Sequence, residues 1–297
     1  MTTIAFIGLG NMGGPMAANL VKAQYKVIGV DLAPALQEAA AKEGVVIAKT
    51  IAEAVREADV VVTMLPAGKH VRAVWAEAVP AAKKGALLID SSTVDVESAR
   101  AAHDLAKKAG LASLDAPVSG GTGGAKGATL TFMCGGEADA FDRARPILER
   151  MGKKIVHCGD AGAGQAAKIC NNMILGISMI GVSEAFVLAE KLGLSHQALF
   201  DVASTSSGQC WSLTTYCPVP GPAPASPANN GYKPGFASAL MLKDLKLSQE
   251  AAAASGAATP MGALAAQLYA LHNAWGEGDT DFSGVINMVR GRSEKTG

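Results

Sequence analysis

Lys168 and Asn172 are the first residues of this chain whose types and spacing suggest chemistry. They lie in Gly164-Gln165-Ala166-Ala167-Lys168-Ile169-Cys170-Asn171-Asn172-Met173. With Leu175 and Met179 they recur at i, i+4, i+7 and i+11, so the four share one stripe of a helix. An ammonium on a largely apolar helix is costly unless something pairs with it. That suggests a site in which Asn172, one turn on, hydrogen-bonds the same ligand or holds the amine. A surface lysine near a helix start fits the same letters.

A second candidate is Asp115-Ala116-Pro117-Val118-Ser119-Gly120-Gly121. It ends a strand and runs into a glycine turn. Gly120 and Gly121 can expose successive backbone N–H groups, a nest suited to a carboxylate, and Ser119 adds a hydroxyl donor. A plain glycine turn is the alternative. The five histidines are scattered without an HxxxH pair, and no Cys/His cluster occurs, so metal-ligand spacing is absent. No GxSxG elbow supports a hydrolase.

The third constellation opens the chain. Gly8-Leu9-Gly10-Asn11-Met12-Gly13 is a GxGxxG that follows an apolar strand and opens a helix at Gly13-Gly14-Pro15. A second apolar strand ends in Asp31. That is the full dinucleotide-binding context: glycines for the turn and for close approach to a pyrophosphate, and a helix N-terminus for its charge. A carboxylate at Asp31 suits the two ribose hydroxyls of NAD and repels the 2′-phosphate of NADP. Residues 32–41 offer no Arg or Lys to clamp that phosphate. NAD is therefore expected. Later strand ends should complete this cleft. Met64-Leu65-Pro66 ends one strand, with Leu65 and Pro66 suited to the adenine-ribose side. Asp90-Ser91-Ser92-Thr93 ends the next, with Thr93 suited to the nicotinamide side. His70 lies near the adenosine or on a helix surface.

The elements that must position these residues alternate. Apolar runs at Ile4–Ile7, Val27–Val30, Val45–Ile47, Val60–Met64, Leu87–Ile89 and Leu111–Leu114 are separated by alanine-rich helical stretches. This predicts a parallel sheet covered on both faces. Strands at Thr129–Cys134 and Lys154–Cys158 follow, around a helix at 138–150. After Gly159-Asp160-Ala161-Gly162 the pattern turns helical: a long helix over 165–192, then others at 195–203, 239–253 and 261–274. A loop at 218–234 holds six of the 13 prolines and is long enough to be functional or disordered. The spacing predicts an α/β, Rossmann-type domain over 1–163 and an all-helical domain over 164–297.

Composition sets the outer bounds. The chain has 297 residues and is 49% hydrophobic, enough for one large domain or two ordinary ones with a sizeable core. With 26 basic and 26 acidic residues it carries no global field for nucleic acid or an anionic membrane. The start reads as a buried strand rather than a leader, and the weakly polar stretch from Lys168 to Glu184 reads as short of a membrane span. Five cysteines without a CxxC fit a reducing compartment, so a cytoplasmic protein without membrane or nucleic-acid partners is expected.

Taken in order, GLGNMGGPMAANL at 8–20, MLP at 64–66, DSST at 90–93, DAPVSGG at 115–121, GAGQAAKICNN at 162–172 and MLKDL at 241–245 resemble the 3-hydroxyisobutyrate dehydrogenase family, within the β-hydroxyacid dehydrogenases. The resemblance spans essentially the whole chain. It implies a Rossmann-type domain joined by a long helix to an all-α domain. It also implies NAD-dependent hydride transfer from a small hydroxy acid, in which 3-hydroxyisobutyrate becomes methylmalonate semialdehyde in valine breakdown. On it, Lys168 is the catalytic lysine; Ser119, Gly120, Gly121 and Asn172 bind substrate; and Lys243 is the cofactor-side lysine of the KDL motif. Trp211 and the proline-rich loop resemble the substrate-choosing stretch, and a homo-oligomer, dimer or tetramer, is expected. An NADPH-dependent semialdehyde or glyoxylate reductase is disfavoured by Asp31 and the Trp211 segment. A non-catalytic NAD(H) sensor would not need Lys168 and Asn172 together.

Overall fold

The computed structural model describes residues 1–291. The chain forms two compact units, Met1–Lys168 and the residues from Ile169 on.

The first unit is built on a sheet whose strands are β1 (Thr3–Ile7), β2 (Lys26–Val30), β3 (Val46–Ile47), β4 (Val60–Thr63), β5 (Leu87–Asp90), β6 (Ala112–Asp115), β7 (Val118–Ser119), β8 (Leu130–Gly135) and β9 (Gly152–Gly159). Their order is β3-β2-β1-β4-β5-β6-β8-β7, with β9 paired to β8. From β3 to β6 every pairing is parallel, as the continuous apolar runs predict. Past β6 the sheet departs from that expectation. The short strand β7, absent from the sequence reading, and β6 both pair antiparallel with β8. Val118-Ser119 lies between Pro117 and Gly120-Gly121, so no apolar run marks it as a strand.

Seven helices cover this sheet: α1 (Gly13–Lys22), α2 (Pro34–Lys42), α3 (Ile51–Val55), α4 (Gly68–Ala81), α5 (Val96–Lys108), α6 (Gly121–Lys126) and α7 (Ala138–Leu148). Alternation along β1 sets the two layers. Ile4 and Phe6 join a cluster with Met16, Leu20 and Phe141, while Ala5 and Ile7 join one with Val55, Val71 and Trp75. With both faces buried, the catalytically useful groups are left to the carboxyl ends of the strands.

Helix α8 (Ala163–Lys191) is 29 residues long. Its first turn belongs with the sheet unit, because Gly162 and Gln165 donate backbone N–H groups to Asp115 at the end of β6. The compact units therefore divide at Lys168, within the helix rather than before it. The stretch read as short of a membrane span sits inside a helix long and apolar enough to cross one by length and composition. One side of it packs into the second unit. Met179 and Ile180 pack with Met241, Leu245 and Tyr269, and Phe186 packs with Leu213 and Val219.

The second unit continues with α9 (His196–Ala203), α10 (Trp211–Thr214), α11 (Ser238–Ser255), α12 (Pro260–His272) and α13 (Val285–Val289). The proline-rich loop is ordered by side chains that satisfy its backbone, as a loop without a ladder requires. Ser226 donates its hydroxyl to Cys217 O, Asn229 donates its amide to Ala223 O, and Tyr232 donates to Pro218 O. Asp281 closes its far end, accepting from Tyr216 Oη and from the N–H groups of Gly235 and Phe236.

Candidate active site

The turn between β1 and α1 is shaped by what a side chain would strike. A Cβ on Gly13 would stand 1.9 Å from Gly8 O, so helix and strand could not close. Gly10 differs: a Cβ there would meet nothing within 4 Å. Packing of the protein does not demand glycine at that position, whereas close approach of a ligand to the backbone does. Helix α1 also begins without a side-chain cap or an acidic residue in its first turn, so no side chain competes with an anion for the positive end of its dipole. These features fit a dinucleotide pyrophosphate beside Leu9, Asn11 and Met12.

Asp31 stands at the end of β2 with both carboxylate oxygens engaged. Oδ2 accepts from Leu9 N at 2.7 Å and Oδ1 from Ala33 N at 2.9 Å. The acid is thus braced against the glycine turn, with lone pairs left for ribose hydroxyls. Leu32 beside it is almost fully exposed, and residues 32–41 carry no Arg or Lys.

The neighbouring strand ends are tied to one another. Leu65 N donates to Ser92 Oγ, which itself donates to Asp90 Oδ1. Asp90 Oδ1 also accepts from Thr63 Oγ1, whose oxygen accepts from the Trp75 indole. Asp90 Oδ2 is buried without a partner. Burial raises the Asp90 carboxyl to about 6, against the pull of the Ser92 and Thr63 hydrogen bonds, and nearby Asp115 adds to the rise. Met64, Leu65 and Thr93 are half-buried along this edge; Pro66 is exposed, and His70 is exposed in the first turn of α4.

After β6 the chain enters the 119–121 turn. Gly120 has φ 132° and Gly121 φ 60°, both in the region that favours glycine, and Ser119 is half-buried beside them. Asp115, just upstream, is buried. Its Oδ1 accepts from Gly162 N and stands 2.9 Å from His103 Nε2, while its Oδ2 accepts from Gln165 N. Ser113 Oγ lies 2.8 Å from His103 Nδ1, which fits a ring that accepts the hydroxyl and donates to the carboxylate. Lys168, at the end of this unit, is only 6% exposed.

In the second unit Asn172, 1% exposed, donates Nδ2 to Asp244 Oδ2 at 2.5 Å and accepts from Asn171 Nδ2. Lys243 Nζ lies 3.1 Å from Asp244 Oδ1, an ion pair without hydrogen-bond alignment. Trp211 is 49% exposed and stacks on Tyr216, with ring centroids 4.8 Å apart. Sequence reasoning assigned no role to Asp115, Gln165 or Asp244, although each lies inside a stretch it singled out. Their signal was a polar residue within an otherwise apolar or glycine-rich segment.

Residues 3–159 match the NAD binding domain of 6-phosphogluconate dehydrogenase, and residues 162–289 match the NAD-binding family of NADP-dependent 3-hydroxyisobutyrate dehydrogenase. The solved structure of Mycobacterium tuberculosis 3-hydroxyisobutyrate dehydrogenase with L-serine is 56% identical, with a TM-score of 0.95, over 98% of this chain and 99% of that one. The chain belongs to the 3-hydroxyisobutyrate dehydrogenase family. Within that family, the 3-hydroxyisobutyrate dehydrogenase of Pseudomonas aeruginosa is 49% identical over 98% of this chain and all of its own. A second Pseudomonas aeruginosa member, NAD-dependent L-serine dehydrogenase, is 46% identical over 97% of this chain and 98% of its own. Together these establish an NAD-dependent dehydrogenase with a Rossmann-type domain and a helical domain.

Proposed function

We propose that this dehydrogenase oxidises the primary alcohol of 3-hydroxyisobutyrate to methylmalonate semialdehyde, a step of valine breakdown. The observation that carries the reading is Lys168, a buried lysine on the same helix as buried Asn172 and one turn before it. Bound NAD supplies the hydride acceptor. Gly8, Leu9, Gly10, Asn11, Met12 and Gly13 hold its pyrophosphate and Asp31 its ribose. Met64, Leu65, Pro66, His70, Thr93 and Lys243 complete its site.

Lys168 takes the hydroxyl proton of the substrate and returns it in the reductive direction. In the oxidative direction it accepts the proton as the free amine. Ser119 donates its hydroxyl, and Gly120 and Gly121 their N–H groups, to the substrate carboxylate, which fixes the distance to the reacting carbon. Asn172, oriented by Asp244, donates to the same substrate. Trp211 gives the substrate methyl an apolar wall. A cytoplasmic homo-oligomer, dimer or tetramer, completes the reading, and light scattering on the purified protein tests the assembly.

L-Serine is the second reading. It keeps the primary alcohol and carboxylate and puts an ammonium where 3-hydroxyisobutyrate has its methyl. It is supported by the L-serine dehydrogenase relative and by the L-serine in the solved neighbour. Initial rates of NADH formation with each compound separate the two. The proposal expects kcat/KM for 3-hydroxyisobutyrate to exceed that for L-serine by at least about tenfold, a difference of about 1.4 kcal/mol. The reverse order would make L-serine the substrate.

A further inference from the structure

Gln165 is fully buried in the first turn of α8, a place where an amide is costly unless both its ends are satisfied. Both are. Its Nε2 donates to Ser92 O at 2.7 Å, and its Oε1 accepts from Val94 N at 3.1 Å. The side chain thus grips the backbone on either side of one residue, Thr93. Its own backbone N–H is anchored at 2.8 Å to Asp115 Oδ2, and Asp115 also accepts from Gly162 N and meets His103. Ser92 in turn holds Leu65 N and Asp90. Gln165 therefore ties the β5 strand-end segment to the helix carrying Lys168. Lys168 follows it at i+3, on the same side of the helix.

The geometry points to Gln165 as a positioning residue that fixes Lys168 relative to the Thr93 segment. This rests on the reading of Lys168 as the acid–base. An apolar residue would fill the volume of Gln165 but leave Ser92 O and Val94 N without their partner, so the amide sets where the loop on either side of Thr93 lies. With the amide removed, the helix start keeps its Asp115 anchor, so the fold persists. The loop and the lysine lose their common register, and small misplacements of a reacting group cost rate rather than binding.

The test is Gln165→Met in the full-length protein, alone and combined with Lys168→Ala, assayed with NAD and 3-hydroxyisobutyrate. The single variant should lose about 10- to 100-fold in kcat while KM and the NADH dissociation constant stay within about threefold. In the Lys168→Ala background the same substitution should change kcat by less than about twofold, because the group it positions is gone. A folded Gln165→Met enzyme with kcat within about twofold of wild type would overturn the assignment. So would an equal loss with and without Lys168. Near-normal kcat in Lys168→Ala alone would instead overturn the acid–base reading, and the two failures are separable. Should Gln165→Met not fold, Gln165→Glu serves. Only its protonated form can donate to Ser92 O, so its rate relative to wild type should fall as pH rises between about 5 and 8. A flat ratio would overturn the assignment.

Discussion

Replacing Asp90 by Asn should flatten the pH dependence of folding in the sheet unit. Asp90 is buried, accepts three hydrogen bonds on Oδ1 from Thr63 Oγ1, Ser92 Oγ and Ser92 N, and has no partner on Oδ2. Burial raises its carboxyl from 3.8 to about 6. The unfolded chain therefore gives up the proton at lower pH than the folded one. Stability associated with this group is fully present below about pH 4, is lost as pH rises toward 6, and is constant above that. A shift of about two units amounts to at most about 3 kcal/mol. Asn keeps the Oδ1 acceptor and carries no charge, at the expense of about 1–3 kcal/mol for a buried amide donor left without a partner. The slope, not the absolute stability, is the diagnostic. Urea unfolding from about pH 4 to 7.5 can be followed through Trp75, whose indole donates to Thr63 and so reports from beside the site. Wild type should lose up to about 3 kcal/mol across that range relative to Asp90→Asn. Superimposable slopes would refute the argument that the buried carboxyl resists ionisation.

The other consequences concern the cofactor and the substrate. Gly10→Ala should fold normally, since its Cβ meets nothing, yet weaken NADH binding in a fluorescence titration by at least about tenfold; Gly13→Ala, 1.9 Å from Gly8 O, should lose thermal stability instead. Equal melting temperatures for the two would undo that contrast. NAD should exceed NADP by at least about tenfold in kcat/KM, about 1.4 kcal/mol, and Asp31→Asn with Leu32→Arg should move the preference toward NADP. Equal efficiency with both cofactors in the wild type would remove Asp31 as the selector. Trp211→Ala should raise KM for 3-hydroxyisobutyrate more than for unbranched 3-hydroxypropionate; an unchanged ratio would take the indole away from the substrate methyl.

Much of the fold was legible because the first unit repeats one device. Apolar runs such as Val60–Met64 and Leu87–Ile89 lie between helices, and they became the parallel strands Val60–Thr63 and Leu87–Asp90, each within one residue of its expected ends. Strand β7 was not legible, because Val118-Ser119 sits in a Pro–Gly turn without an apolar run and its pairing depends on β8, which comes later in the chain. The GxGxxG with Asp31 could be read from letters because its geometry is local: a turn, a helix start and the next strand end. The roles of Gln165 and Asp115 were not, since their partners lie 73 and 50 residues away in sequence and only the sheet order brings them together. The proline-rich loop was ambiguous for a similar reason. Its order comes from Asp281, 45 residues beyond Phe236, and from side chains such as Asn229 whose targets no spacing rule announces.

The most direct test of the account is kcat of Lys168→Ala at saturating NAD with 3-hydroxyisobutyrate. As the general acid–base, Lys168 should be worth about 10²–10⁴-fold in kcat. NADH binding should persist, because the glycine turn and Asp31 are untouched. Lys168→Arg should rescue poorly, since a guanidinium does not give up its proton near neutral pH. A Lys168→Ala enzyme with near-normal kcat would contradict the account and leave the buried lysine a structural residue.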